Sequence, residues 1–139
     1  MDVAVAGDAD AIPFVFHHGT PGSAIVFEPF LEEVLARGLR YVASSRPGYG
    51  DSTRRNGRTV VDCVADTLAV VEQLGHGRFF TAGWSGGAPH AIACAGLMPD
   101  RVLAAASIAG PAPRGAEGLD WLGGMGDENV EEFAAAITA

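Results

Sequence analysis

Short apolar runs alternate with amphipathic segments along this chain, a pattern that predicts strands alternating with helices. Residues 2–6 and 12–16 read as strands, the second ended by His17-His18-Gly19-Thr20-Pro21-Gly22. Phe30, Leu31, Val34 and Leu35 recur at helical spacing, and Gly38 stands where that helix should stop. Residues 39–43 form the next apolar run and lead into Ser45-Arg46-Pro47-Gly48-Tyr49-Gly50. Val60, Val64, Leu68, Val71 and Leu74 predict one face of a second helix, with Thr59 as its cap and Asp62 in capping-box position. Gly75 and Gly77 end it.

Residues 78–82 predict another strand, followed by Gly83-Trp84-Ser85-Gly86-Gly87 and a small-residue helix over 88–97 that stops near Pro99. Residues 102–108 predict a further strand, closed by Gly110-Pro111. A Gly-rich stretch fills 114–126, and a last helix starts near Asp127 with Val130, Phe133, Ala134 and Ile137 on one face. Strands separated by helical segments imply an α/β fold with a mostly parallel sheet. No internal repeat or low-complexity tract interrupts it.

Composition narrows the function classes. The 139 residues are 48% hydrophobic and 19% charged, which suits one globular domain rather than a disordered chain. A net charge of -8 repels phosphate backbones, so nucleic acid is not expected as a partner. No apolar run reaches the roughly 18 residues of a membrane span, and the N-terminus lacks a signal-peptide pattern. Cys63 and Cys94 fall in apolar helical patterns and read as buried free thiols, which suggests a cytoplasmic protein. No Cys/His cluster has metal-ligand spacing, and neither metal nor cofactor is expected.

The chemistry centres on Gly83-Trp84-Ser85-Gly86-Gly87, a G-x-S-x-G pattern between a predicted strand and a predicted helix. A nucleophilic serine at such a place needs a tight, strained turn that lifts its hydroxyl above the sheet. Side chains two positions before and after it would collide, hence the two glycines. The helix that follows aims its free N–H groups at the same spot. The glycines do not fit a phosphate-binding turn, because G-x-G-x-x-G is not formed and no Lys follows.

Three motifs occur in order: H-G-x-P-G after one strand (His18 to Gly22), R-P-G-Y-G after the next (Arg46 to Gly50), and G-W-S-G-G after the third. Together they resemble the α/β-hydrolase superfamily, specifically its esterase and proline-iminopeptidase-like branch, over about residues 12–108. The resemblance implies a three-layer α/β sandwich with Ser85 as nucleophile. It also implies an oxyanion hole made by the backbone N–H groups of Thr20 and Gly86. The reaction implied is cleavage of a small ester, amide or related acyl compound. Esterase, lactonase, peptidase, C–C bond hydrolase and cofactor-free haloperoxidase activities share the pattern. A serine rather than an aspartate argues against dehalogenase and epoxide hydrolase chemistry. The loop at Arg46 reads as a structural support, Asp51 as a solvated turn residue, and His18 as a packing group that holds its loop.

The family's acid and histidine follow the nucleophile in chain order, and here that pattern breaks. His90 is the only histidine after Ser85, and it lies inside the next helix, out of reach of the hydroxyl. His76 belongs to the opposite end of the sheet. His17 and His18 lie near the mouth of the site as conceivable substitute bases. The strand at 102–108 ends in Ala109-Gly110-Pro111 without a carboxylate, and Glu117, Asp120 and Asp127 suit surface or capping roles. The economical expectation is the first part of a longer hydrolase: core over 1–113, and the start of a cap or lid over 114–139. The last strand would then carry an unpaired apolar edge that invites self-association. Two other readings stay open: a non-catalytic small-molecule binder, and a subunit that pairs with a separate C-terminal half.

Overall fold

The structure is a computed structural model that describes residues 1–25 and 27–138. Five strands form one sheet in the order β1-β3-β2-β4-β5. They are β1 (Val3–Ala6), β2 (Pro13–His17), β3 (Arg40–Ser44), β4 (Phe79–Trp84) and β5 (Val102–Ile108). Only β1 runs antiparallel to its neighbour, with Val3 opposite Ser44 and Ala6 opposite Tyr41. Four helices complete the fold: α1 (Glu28–Ala36), α2 (Asp62–Gln73), α3 (Ala88–Leu97) and α4 (Asp127–Thr138).

Side chains alternate across the central strands and divide the core into two layers. Val15 of β2, Val42 of β3 and Phe79 of β4 pack with Val70 and Val71 of α2 and Cys94 of α3. On the other face, Tyr41 and Ala43 join Phe14, Phe16 and the α1 residues Phe30, Leu31 and Val34. This period of two explains why β2 and β3 read as continuous apolar runs: both faces are covered. The sheet with helices on both sides is the three-layer α/β sandwich expected.

The order of the strands creates the site. From β2 the chain places β3 on one side and β4 on the other, so the loops leaving β2 and β4 diverge. A crevice opens at such a switch point, above the carboxyl ends of the strands. Register sets the two loops level, because His17 of β2 pairs with Gly83 of β4.

Element boundaries differ from the sequence reading in instructive places. Ile12 stays outside β2, although its carbonyl accepts from Arg40 N–H at the start of β3 (3.0 Å). Strand β4 continues to Trp84 because β5 pairs with it as far as Ile108. Helix α2 begins at Asp62, so Val60 is exposed outside it and is not part of the buried face. Asp62 draws back the preceding turn, accepting from Thr59 N–H (2.6 Å) and from the Thr59 hydroxyl (2.9 Å). That hydroxyl is a donor here, so only half of the capping box forms and no side chain caps the helix. Gly38 does end α1, at φ +67, with its N–H bonded to Leu35 O (2.9 Å).

Strand β5 lies at a sheet edge, and residues 104–108 are exposed. Beyond it, turns fill 114–126, and Trp121 packs edge-on against Phe133 of α4 with ring centroids 4.8 Å apart. No described helix is long and apolar enough to cross a membrane.

Phe79 is fully buried between the sheet and α2–α3. Phe79→Ala is expected to destabilise the chain by about 3–5 kcal/mol. Ile92→Ala, on the exposed side of α3, should change stability by no more than about 0.5 kcal/mol. Urea titration followed by far-UV circular dichroism measures both.

Candidate active site

Trp84 leaves β4 in extended geometry (φ -107, ψ 135), and Ser85 turns abruptly to φ +50. A single-turn 3-10 segment, Ser85–Gly87, then feeds α3. A left-handed serine is strained, and such strain persists only where the surroundings enforce it. Here they do. A methyl group on Gly83 would overlap the Gly87 carbonyl, and one on Gly87 would overlap the carbonyl oxygens of His17 and His18. The turn closes because neither has a side chain. Ser85 is partly exposed, beside a half-exposed Trp84.

The loop after β2 lies against this turn. A methyl group on Gly19 would sit 3.5 Å from Ser85 Cβ and 3.3 Å from the Trp84 ring. One on Gly86 would sit 3.5 Å from Thr20 N, so Thr20 and Gly86 are immediate neighbours. Among the described residues, no acceptor takes the N–H of either one.

Arg46 holds that loop in place, a role the sequence reading reduced to general support. Its guanidinium donates to His18 O, to Gly19 O (3.0 Å) and to the Thr20 hydroxyl (2.9 Å). It is 5% exposed, and its Cζ lies 5.3 Å from the Tyr49 ring centroid. Burial lowers its pKa, but an arginine side chain stays charged at any ordinary pH. A buried cation with carbonyl acceptors and no carboxylate partner is costly unless its hydrogen bonds are complete. Its acceptors are mostly main-chain groups, so the sequence offers only an Arg at the head of a Pro-Gly turn, one strand along from the His18–Gly22 loop.

His18 accepts from Arg46 N–H at Nε2 (3.2 Å), so its proton sits on Nδ1 and is donated to Gly19 O (2.7 Å). Both ring nitrogens are occupied. Burial lowers its pKa from 6.5 to about 4. His17 turns the other way, with Nε2 3.9 Å from Cys94 Sγ and its ring stacked on His90 at 6.2 Å. His90 bonds Gly86 O through Nδ1 (3.1 Å), and burial again lowers its pKa to about 4. His76 contacts Ala9 O (3.0 Å), away from the site. Among the described residues no base hydrogen-bonds to Ser85 Oγ. Asp51 and Glu117 are exposed, Asp120 accepts from Gly123 N–H (3.2 Å), and Asp127 opens α4. Cys63 and Cys94 are free thiols; Cys63 Sγ donates to His90 O (3.7 Å), and the Cys94 thiol together with burial pushes the Cys63 pKa up. The described residues hold no cluster suited to a metal ion.

The model of the alpha/beta hydrolase fold family matches residues 12–131, and the chain belongs to that family. It is 31% identical over 135 residues to a non-heme chloroperoxidase of Streptomyces lividans, covering 96% of this chain and 49% of that protein. It is 32% identical over 109 residues to epoxide hydrolase B of Mycobacterium tuberculosis, covering 76% and 31%. Among solved structures, it matches one from a study of carboxylesterases of Nitrososphaera gargenis, with 25% identity and a TM-score of 0.75. That match covers 98% of this chain and 48% of the other. The chain thus spans about half, or less, of the length of the curated relatives it matches.

Gly83→Ala and Gly87→Ala should each destabilise the fold severely, because both collide with backbone. Gly86→Ala should be milder, since its methyl overlaps the Thr20 side chain rather than backbone, at the cost of the Thr20–Arg46 hydrogen bond. Thermal melts of the three variants rank them. A second outcome concerns pH. His90 is neutral when folded, and its pKa there lies below the unfolded value. Stability is therefore complete above about pH 6.5 and falls as the pH drops toward about 4. His90→Gln should reduce that fall in the urea midpoint between about pH 7.5 and 4.5.

Proposed function

We propose that Ser85 is the nucleophile of a serine hydrolase that cleaves a small ester, amide or related acyl compound. The observation that carries this reading is the strained Ser85 turn set against two backbone N–H groups with no protein acceptor. Ser85 Oγ attacks the carbonyl carbon, and the carbonyl oxygen gains negative charge. The N–H groups of Thr20 and Gly86 form the oxyanion hole, each worth about 3–4 kcal/mol in the transition state. The leaving group departs, and water then cleaves the acyl-serine ester. The serine proton passes to a histidine that lies outside these residues, oriented by a carboxylate also outside them. Residues 114–139 begin a lid, and the chain by itself is inactive for want of that base. The free thiols support a reducing, cytoplasmic setting.

Acyl transfer fits a serine better than epoxide opening does. Attack of a serine oxygen on an epoxide carbon gives an ether, which water does not cleave under these conditions. A carboxylate would give a hydrolysable ester, and no carboxylate stands at this turn.

One observation favours a second reading, a non-catalytic small-molecule binder: no base touches Ser85 Oγ among the described residues. Chemical rescue separates the two. A fluorophosphonate is incubated with the chain while imidazole supplies the base, and the adduct is located by mass spectrometry. Labelling at Ser85 should increase with imidazole and vanish in Ser85→Ala. No adduct at Ser85 at any imidazole concentration, or labelling that persists in Ser85→Ala, would favour the binder.

A further inference from the structure

Beside Ser85 lies an open cleft of about 630 Å³. The loop after β2 and the start of α1 form one wall, with Pro21, Ile25, Phe27 and Phe30. Trp84 and Ile108, at the ends of β4 and β5, form the other. Four of these are large apolar side chains held out in solvent: Ile25 at 88% exposure, Phe27 at 71%, Trp84 at 55% and Ile108 at 45%. Their convergence on one cleft next to the strained serine is the observation to explain, since scattered exposed apolar residues need no reason but a contiguous patch does. The floor is firm: Phe30 packs on Phe16 with ring centroids 4.8 Å apart and on Tyr41 at 6.3 Å.

Among the described residues, no Asp, Glu, Lys or Arg lines the cleft. Its polar side chains are Ser23, Tyr41 and His18, all uncharged, and both His18 ring nitrogens are already engaged. A charged ligand entering it would lose hydration and gain no oppositely charged partner. An anion would also meet the repulsion of a chain with net charge -8. The Arg46 guanidinium offers no relief, because its donors are spent on His18, Gly19 and Thr20 behind the loop.

We propose that this cleft selects the substrate: a neutral ester or amide whose aromatic or branched aliphatic group lies between Phe27 and Trp84. The inference rests on the hydrolase reading above, because Trp84 and Gly19, which line the cleft, are the chain neighbours of Ser85 and Thr20.

The test uses the full 139-residue chain carrying Trp121→Phe, which leaves Trp84 as the single tryptophan. Three ligands share one ring and differ in charge: methyl phenylacetate, phenylacetate and phenethylammonium. The neutral ester should shift Trp84 emission and bind about tenfold or more tighter than either ion. Phe27→Asp and, separately, Ile25→Asp should each weaken it about tenfold or more while circular dichroism stays unchanged. Ile92→Asp, on the far side of α3, should leave binding as it was. Equal binding of the three ligands, or unchanged affinity in both cleft variants, would overturn the proposal. The phosphonylation assay separates the two failures. Selective binding without any Ser85 adduct sinks the hydrolase reading and leaves the cleft, whereas an adduct without selective binding sinks the cleft alone.

Discussion

The fold's functional end depends on one steric constraint: the chain must reverse from strand to helix between Gly83 and Gly87 with no side chain at either position. The backbone of β4 passes so close to the start of α3 that a methyl on Gly83 has nowhere to go, and Gly87 is wedged equally tightly against the end of β2. Ser85, caught between them, takes a left-handed conformation that an unconstrained serine would leave. The strain of order 1–3 kcal/mol that such a residue stores is met by packing in the sheet beneath. The same constraint brings the β2 loop against the elbow, so one cause positions both Ser85 and Thr20.

A second layer of control comes from Arg46. The loop from His18 to Gly22 exposes carbonyl groups that no secondary structure satisfies. The buried guanidinium supplies donors for them, and Tyr49 covers its face. His18 completes the arrangement from within the loop, its tautomer fixed by the Arg46 N–H on one side and the Gly19 carbonyl on the other. Both groups are thereby used up structurally, which is why neither serves as a base for Ser85. The cost of burying a charge is offset only while this set of hydrogen bonds stays complete.

Much of this was legible in the chain. The strand–helix alternation gave the α/β class because covered strands must be apolar on both faces, as Phe14, Val15 and Phe16 are in β2. The elbow was legible because glycine at 83 and 87 has a single steric meaning in that setting. The start of α2 was not: spacing alone counted Val60 in its buried face, whereas the Asp62 carboxylate organises a turn around Thr59 and delays the helix. Arg46 was read too generally, because its acceptors are main-chain carbonyls and leave no trace in residue type. The direction of His17, toward Cys94 rather than Ser85, follows from strand alternation, since His17 shares its face with Val15. The apolar cleft was also invisible in sequence, as Phe27, Trp84 and Ile108 come from three separate segments.

The central claim is that the Thr20 and Gly86 amides face an oxygen carried on Ser85. Amide NMR of the chain before and after phosphonylation of Ser85 tests it most directly, because the adduct places a strongly polarised phosphonyl oxygen where an oxyanion would form. The account predicts that the proton resonances of Thr20 and Gly86 move downfield further than any other amide, as hydrogen bonds to the phosphonyl oxygen form. Resonances of those two amides that stay in place while others move would contradict it.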